Sequence, residues 1–276
     1  MEFATVRVST RDAVCSVRLD RPEHGNAIND TMIRDLHEAL DQCERSCTVV
    51  VVEGGPDVFC QGADLAGYRR ADDPGRADYD PSPLYELWTR LATGPFISVA
   101  HVRGGANAGG VGFVAACDIA IAGREATFAL SEMLFGLYPA MLLPFLRRRI
   151  GHQRAHYMTL TTKSVSAEQA QDWGLVDVCA DRSGTALAQH LGRLSKVPKE
   201  AVASYKRYVS GLEGALHRDR EAAVAANREI FTDPRNLERI TRFVEHGVYP
   251  WERVPVASES PLTTPGGSAS RDGRTA

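Results

Sequence analysis

The sequence predicts an α/β fold: a spiral of strand–strand–helix units, followed by a helical C-terminal region. Three observations carry the prediction. Apolar or β-branched runs too short for helices recur through roughly the first 140 residues, interleaved with segments of helical periodicity. Two of these runs open into small-residue turns that lead toward helices, at residues 59–65 and 104–112. Beyond about residue 140, helical spacing dominates.

Residues 3–8 and 14–19 read as short strands around a polar turn at 9–12. Ile33, Leu36, Leu40, Cys43 and Cys47 then recur at helical spacing, with Asn29 or Asp30 able to cap the helix. Val49-Val50-Val51-Val52 is β-branched and apolar throughout, as expected of a strand buried on both faces, and Gly54-Gly55-Pro56 ends it. Residues 71–82, rich in Asp, Pro, Gly and Arg, predict a mobile loop near the site. A helix over 84–91, a buried strand over 96–102, a small-residue helix over 109–117 and strands over 119–122 and 126–130 complete the spiral. Leu187, Leu191 and Leu194, then Val202, Tyr205, Val209 and Leu212, then Leu237, Ile240 and Val244 mark C-terminal helices that pack on the spiral or on a neighbouring subunit. From about Val254 the chain is Ser, Thr, Pro and Gly with scattered charge, a composition of disorder.

The totals narrow the function. The chain has 276 residues, 43% hydrophobic and 24% charged, with a formal net charge of −3, which suits one large soluble domain or a domain with an appendage. That charge gives no reason to expect nucleic acid or an anionic membrane as partner. Arg147-Arg148-Arg149 and Arg69-Arg70 are local basic clusters, either solvated helix faces or docks for an acidic partner. The six cysteines are dispersed without a C-x-x-C pair, so buried thiols are expected rather than bridges, Cys43 and Cys47 sharing one helix face. Early charged residues (Glu2, Arg7, Arg11, Asp12) exclude a signal-peptide apolar region there, and no apolar run reaches membrane-spanning length. A cytoplasmic location is expected.

The chemistry resides in the two turns. The glycine segment has no Lys-Ser/Thr ending and no G-x-G-x-x-G register, which argues against phosphate-loop and dinucleotide sites. A turn opening into a helix leaves backbone N–H groups without intrahelical partners. Two such turns aimed at one point make a two-donor cradle for a carbonyl oxygen that becomes negative. The donors are Ala63, which follows the flexible Gly62, and Gly109, the first of a Gly-Gly pair at a helix start. Tight helix-on-sheet packing is the alternative reading of the glycines. Asp64 reads as a cap for the first helical turn rather than as a catalyst. A polarised thioester acidifies its α C–H, and a base must take that proton. Glu132 is the candidate: its stretch, residues 128–139, is largely apolar, so partial desolvation raises its pKa toward a working range. A rim glutamate in a loop is the alternative. No metal is expected.

Phe59-Cys60-Gln61-Gly62-Ala63-Asp64-Leu65, the glycine segment ending in Ala116-Cys117-Asp118-Ile119, and Leu130-Ser131-Glu132 with Gly136-Leu137-Tyr138-Pro139 resemble the three signatures of the crotonase (enoyl-CoA hydratase/isomerase) superfamily, in its order and spacing. The similarity continues through Ser166-Ala167-Glu168-Gln169-Ala170 and Trp173-Gly174-Leu175-Val176-Asp177. The resemblance implies a crotonase-type ββα spiral core, taken as residues 1–195, and a helical trimerisation region, taken as 196–253, ahead of the compositionally disordered tail over 254–276. It also implies acyl-thioester chemistry with Ala63 and Gly109 as the oxyanion hole. The chain departs from the hydratases, which typically carry two glutamates: Gly112 stands at the position of the first, Glu132 at the second, and Arg103 replaces a common asparagine.

A closer resemblance is to the dehydratase crotonases of polyketide β-branching cassettes. It is carried by His101-Val102-Arg103-Gly104, Asn107-Ala108-Gly109-Gly110, the run from Leu130 through Ala140, and Arg149-Ile150-Gly151 with Ala155-His156-Tyr157-Met158-Thr159-Leu160. Those proteins also have the single glutamate. The resemblance implies dehydration of a 3-hydroxy-3-methylglutaryl group borne on the phosphopantetheine of an acyl carrier protein, or on CoA, with no other cofactor, by a homotrimer or dimer of trimers. His101, Asn107 and Tyr138 either assist or are structural. Asp64, Arg69 and Arg70 border the expected entrance for the acidic carrier. Decarboxylation of the glutaconyl product, CoA-linked hydration or isomerisation, and a noncatalytic binding protein on the same scaffold are the alternatives.

Overall fold

A computed structural model describes residues 3–68 and 79–252 of the chain. Strands β1 (Val6–Arg11) and β2 (Val14–Leu19) form an antiparallel hairpin. β1 runs through the segment expected to turn. The reversal needs only two residues, because Asp12 adopts the left-handed conformation (φ 53°) that a short polar side chain tolerates. Helix α1 (Asp30–Ser46) is capped by Asn29, whose side chain accepts from the Met32 N–H at 2.9 Å. Its buried face holds Met32, Leu36, Ala39, Leu40 and Cys43, while Ile33 is only partly buried.

The spiral follows in three turns, each made of a strand in one sheet, a short strand in a second sheet, and a helix. They are β3 (Val49–Glu53), β4 (Val58–Cys60) and α2 (Ser82–Thr93); β5 (Ile97–Val102), β6 (Gly105–Asn107) and α3 (Gly109–Ala116); and β7 (Ile119–Gly123), β8 (Thr127–Ala129) and α4 (Leu143–Thr161). Then come β9 (Val165–Ser166), α5 (Ala167–Trp173), β10 (Val178–Ala180), α6 (Ser183–Leu194), α7 (Lys199–Glu213), α8 (Ala215–Thr232) and α9 (Pro234–His246). The larger sheet has the order β1-β2-β3-β5-β7-β10, parallel beyond the first hairpin; the smaller has the order β4-β6-β8-β9. Because β3 is central and covered on both faces, all four of its valines are buried, as their β-branched run predicts.

α4 bends at Gly151, whose φ of 77° is open to glycine at little cost, so Arg149-Ile150-Gly151 marks a kink. α8 and α9 pack on this chain's own spiral. The Tyr85 hydroxyl donates to the Leu216 carbonyl at 2.7 Å, and Ile230, Phe231 and Ile240 form one apolar cluster with Phe135, Leu137 and Ala140. α7 is anchored by Lys206, whose buried ammonium donates to Asp118 Oδ2 at 2.7 Å and to the Leu91 and Phe96 carbonyls.

The cysteine expectation is corrected in one pair. Cys43 is joined by a disulfide to Cys15, with Cα atoms 6.0 Å apart, while Cys47, Cys60 and Cys117 are free and buried. The partner lies across the α1–β2 packing interface, where spacing along one helix does not reach. Among the described residues no helix is long and apolar enough to cross a membrane. The 254–276 tail and most of the 71–82 loop lie outside the described residues.

Candidate active site

The two turns of the sequence argument meet. Gly62 has a φ of 92°, and a Cβ there would stand 2.7 Å from Ala108 Cβ and 3.2 Å from the Gly109 nitrogen, so only glycine allows this approach. The first turn is fixed by a bridge to Ile28: Ile28 N–H donates to the Gly62 carbonyl at 2.7 Å, and Asp64 N–H donates to the Ile28 carbonyl at 2.9 Å. These bonds straddle Ala63 and leave its N–H outward. The second turn is fixed by Ala108, whose N–H donates to the Ala129 carbonyl at 2.9 Å and whose φ of 48° is a strained value for alanine. That strained residue swings the chain into α3 with Gly109 at its first position, where an amide has no intrahelical acceptor. The backbone bonds around both turns give neither the Ala63 nor the Gly109 N–H an acceptor.

Both amides border a cavity of about 580 Å³. Glu132 enters it from the first position of a single helical turn, Glu132–Phe135, closed by Gly136 in the left-handed conformation. Its carboxylate Oε2 is buried without a partner, and burial pushes its pKa up from the ordinary carboxylate value to about 7. Asn107 and Ser131 face the same cavity, the Asn107 amide donating to Ser131 Oγ at 2.8 Å while its Oδ1 is left unpaired. Tyr138 lines the mouth and is 38% exposed.

Five buried side-chain N or O atoms lack a partner among the described residues: Trp88 Nε1, Arg103 Nε, Asn107 Oδ1, Glu132 Oε2 and Arg242 Nε. Trp88, Asn107 and Glu132 all line this one cavity. Buried polar groups are normally paired, so their concentration marks the place where a ligand completes the bonding. A larger cavity, of about 700 Å³, is bordered by α3, α4 and α7; none of the five atoms belongs to its lining, and its Lys206 is fully engaged. The smaller cavity is therefore the candidate site.

Other expected residues fall differently. His101 is corrected: it is buried away from the cavity, its Nδ1 2.8 Å from Glu53 and its Nε2 3.1 Å from Ser183 Oγ, where it ties β3 and β5 to α6. The His101 hydrogen bond holds the Glu53 carboxyl below its ordinary pKa. Asp64 lines the cavity, and its carboxylate accepts from Arg21 at 3.0 Å, locking the turn to the preceding loop. Arg69 and Arg70 lie outside the described residues.

Three groups of functional residues escaped sequence reasoning. Trp88 was hidden within an ordinary amphipathic helix. Arg21 acts across 43 positions. Phe231, Phe243 and Tyr249 reach the cavity from the C-terminal helices and the segment after α9. A built side chain at Gly112 would collide with Trp88 Cζ2 at 2.4 Å, so the space beside Gly112, the position that the resemblance matches to the first glutamate of the hydratases, is filled by an indole. That glycine was the one available signal for Trp88.

Residues 9–254 match the family model for enoyl-CoA hydratase/isomerase. The chain is 48% identical over 252 residues to the bacillaene synthase dehydratase PksH of Bacillus subtilis, covering 91% of this chain and 97% of that one. It is 31% identical over 229 residues to the 2,3-dehydroadipyl-CoA hydratase of Escherichia coli, covering 82% and 88% of the two chains. A crystal structure of the pksH polyketide biosynthesis enoyl-CoA hydratase of Bacillus subtilis superposes with a TM-score of 0.86 at 47% identity, over 90% of this chain and all of that one. Spiral, turns and buried glutamate thus agree with the sequence match: the chain belongs to the enoyl-CoA hydratase/isomerase, or crotonase, family.

Proposed function

We propose that the chain is an acyl-thioester dehydratase of polyketide β-branching. It removes water from a 3-hydroxy-3-methylglutaryl-type thioester on an acyl carrier protein and yields the 3-methylglutaconyl-type enoyl thioester. The observation that carries the reading is the single buried carboxylate, Glu132, sharing a cavity with two acceptor-free amides, with an indole filling the space beside Gly112. The likeness to a polyketide dehydratase supports it.

The thioester oxygen rests between the Ala63 and Gly109 N–H groups. Ionised Glu132 takes the α proton, and the resulting enolate oxygen is held by the two amides. The enolate pair then forms the Cα=Cβ bond as the Cβ–O bond breaks. The departing oxygen takes the proton from Glu132, so water leaves and the carboxylate is restored. A pKa near 7 suits a group that must both take and return a proton at neutral pH. Decarboxylation of the glutaconyl product would use the same cradle without an α-proton base, and a poised Glu132 favours dehydration.

Arg69 and Arg70 follow Leu65, a cavity-lining residue, in sequence, and the proposal gives them the acidic carrier or the distal carboxylate of its cargo. The assembly is proposed as a homotrimer or dimer of trimers in the cytoplasm, checked by light scattering. Intact-mass spectrometry of a loaded carrier after incubation tests the reaction. Loss of water is the expected result, and loss of carbon dioxide alone overturns it. Changing Arg69 and Arg70 to Ala is expected to slow turnover of the carrier-bound substrate more than that of its CoA counterpart, the gap narrowing as salt rises. Equal effects on both substrates remove the carrier role.

A further inference from the structure

Trp88 projects from α2 to the wall of the cavity and is 1% exposed. The ring atoms that press on Gly112 are Cζ2, Cη2 and Cε2, at 2.4, 2.7 and 2.8 Å from a Cβ built there, and Cζ2 also lies 3.8 Å from one built on Gly109. In an indole, Cε2 is bonded to Nε1, so the edge facing α3 at Gly112 is the edge that carries the N–H, and its Cζ2 reaches toward Gly109. Phe113 and Phe145 clamp the ring edge-on, at centroid distances of 6.0 and 5.9 Å, and neither offers an oxygen or nitrogen acceptor. Nε1 is therefore a fixed, buried donor with no partner in the described chain.

The other unpaired atoms of the cavity, Asn107 Oδ1 and Glu132 Oε2, are acceptors. One donor and two acceptors on residues that line one cavity complement a hydroxyl, which accepts from the first and donates to either of the others. An indole N–H cannot act as a base and carries no charge, so Trp88 does not substitute for a second glutamate as a water activator. What it can do is polarise an oxygen that is becoming negative.

We infer that Trp88 is a catalytic hydrogen-bond donor to the β-oxygen of the 3-hydroxyacyl thioester, assisting its departure. The inference rests on the dehydratase reading above. Trp88 keeps its own proton; Glu132 supplies the one that leaves with the oxygen. Its action is confined to breakage of the Cβ–O bond, so removal of the α proton should not depend on it.

Trp88→Phe removes the donor and keeps an aromatic ring in place. Two rates are read: loss of water from a 3-hydroxy-3-methylglutaryl thioester, and deuterium uptake from heavy water at the α-carbon of the saturated glutaryl thioester, which has no hydroxyl to lose. The variant is expected to dehydrate about 10²-fold more slowly and to exchange within about threefold of the unaltered protein. Retained exchange also reports an intact fold and oxyanion cradle. Near-normal dehydration overturns the inference, and so does a parallel fall in both rates, which marks a packing role. If the unaltered protein loses no water from the hydroxylated substrate, the dehydratase reading fails and Trp88 with it; if it does and Trp88→Phe matches it, only Trp88 fails.

Discussion

Glu132 is placed where ionisation is costly, and that cost is measurable. Its folded pKa of about 7 lies above the ordinary 4.5, so the folded state holds the proton more tightly than the unfolded chain. The associated stability is present below pH 4.5 and is lost as pH rises through about 7. Glu132→Gln, which cannot ionise, should match the unaltered protein in thermal unfolding near pH 4.5 and exceed it above pH 7, by on the order of 3 kcal/mol at most. The same variant should have no measurable dehydratase turnover. For the unaltered protein, kcat/KM should rise with pH and level off above an inflection near 7, because the base acts when ionised. A profile flat from pH 5 to 9 would remove Glu132 as the base. Gly112→Glu is the complementary change: with Trp88 Cζ2 2.4 Å from the new Cβ, it should destabilise the fold by about 1–3 kcal/mol and bring no gain in hydration rate. Glu132 was legible in the sequence because an isolated acid in an apolar run has few structural uses. His101 misled for the converse reason: a histidine near a motif gives no sign of which face of its strand it occupies, and here that face is the one against α6.

Among the elements, the turn at Gly62 and Ala108 positions the chemistry. Gly62→Ala adds a methyl 2.7 Å from Ala108 Cβ at a φ that alanine avoids, so the two turns must separate. The variant should remain folded and lose about 10²–10³-fold in kcat, the loss typical of removing one oxyanion donor. Unchanged kcat would show that the cradle tolerates displacement and is not preorganised. Both turns were readable because small-residue segments after apolar strand-like runs are local signals. The recurring strand–strand–helix order was also readable, from short apolar runs separated by turns; the alternation of strands between two sheets was not, because β4 and β6 overlap the segments that read as turns. The extent of β1 was not, because Ser9, Thr10 and Arg11 lie on an exposed edge strand whose pairing comes from β2 rather than from their own polarity. The Cys15–Cys43 bridge was illegible for a related reason: it joins a strand to a helix, and one sequence does not reveal which strand face meets which helix face.

On the scale of the whole molecule, the C-terminal helices do more than extend the spiral. α9 lies over the helical turn that carries Glu132, and Phe243 packs edge-on against Phe135, with ring centroids 5.0 Å apart, and at a tilt against Tyr249, 4.9 Å away, forming an apolar wall of the cavity from this chain itself. Periodicity foretold α9 but neither α8 nor the return of both to the site, since their aromatic positions look like any amphipathic face. Phe243→Ala should therefore raise KM for the acyl thioester several-fold while changing kcat less, and an unaltered KM would place the acyl chain elsewhere. The central claim concerns the cradle and the single acid acting together, and α-proton exchange reads both at once. Deuterium uptake from heavy water at the α-carbon of the saturated glutaryl thioester should proceed with the unaltered protein and fall to background with Glu132→Gln, while the thioester still binds. Exchange that persists in Glu132→Gln would contradict the account.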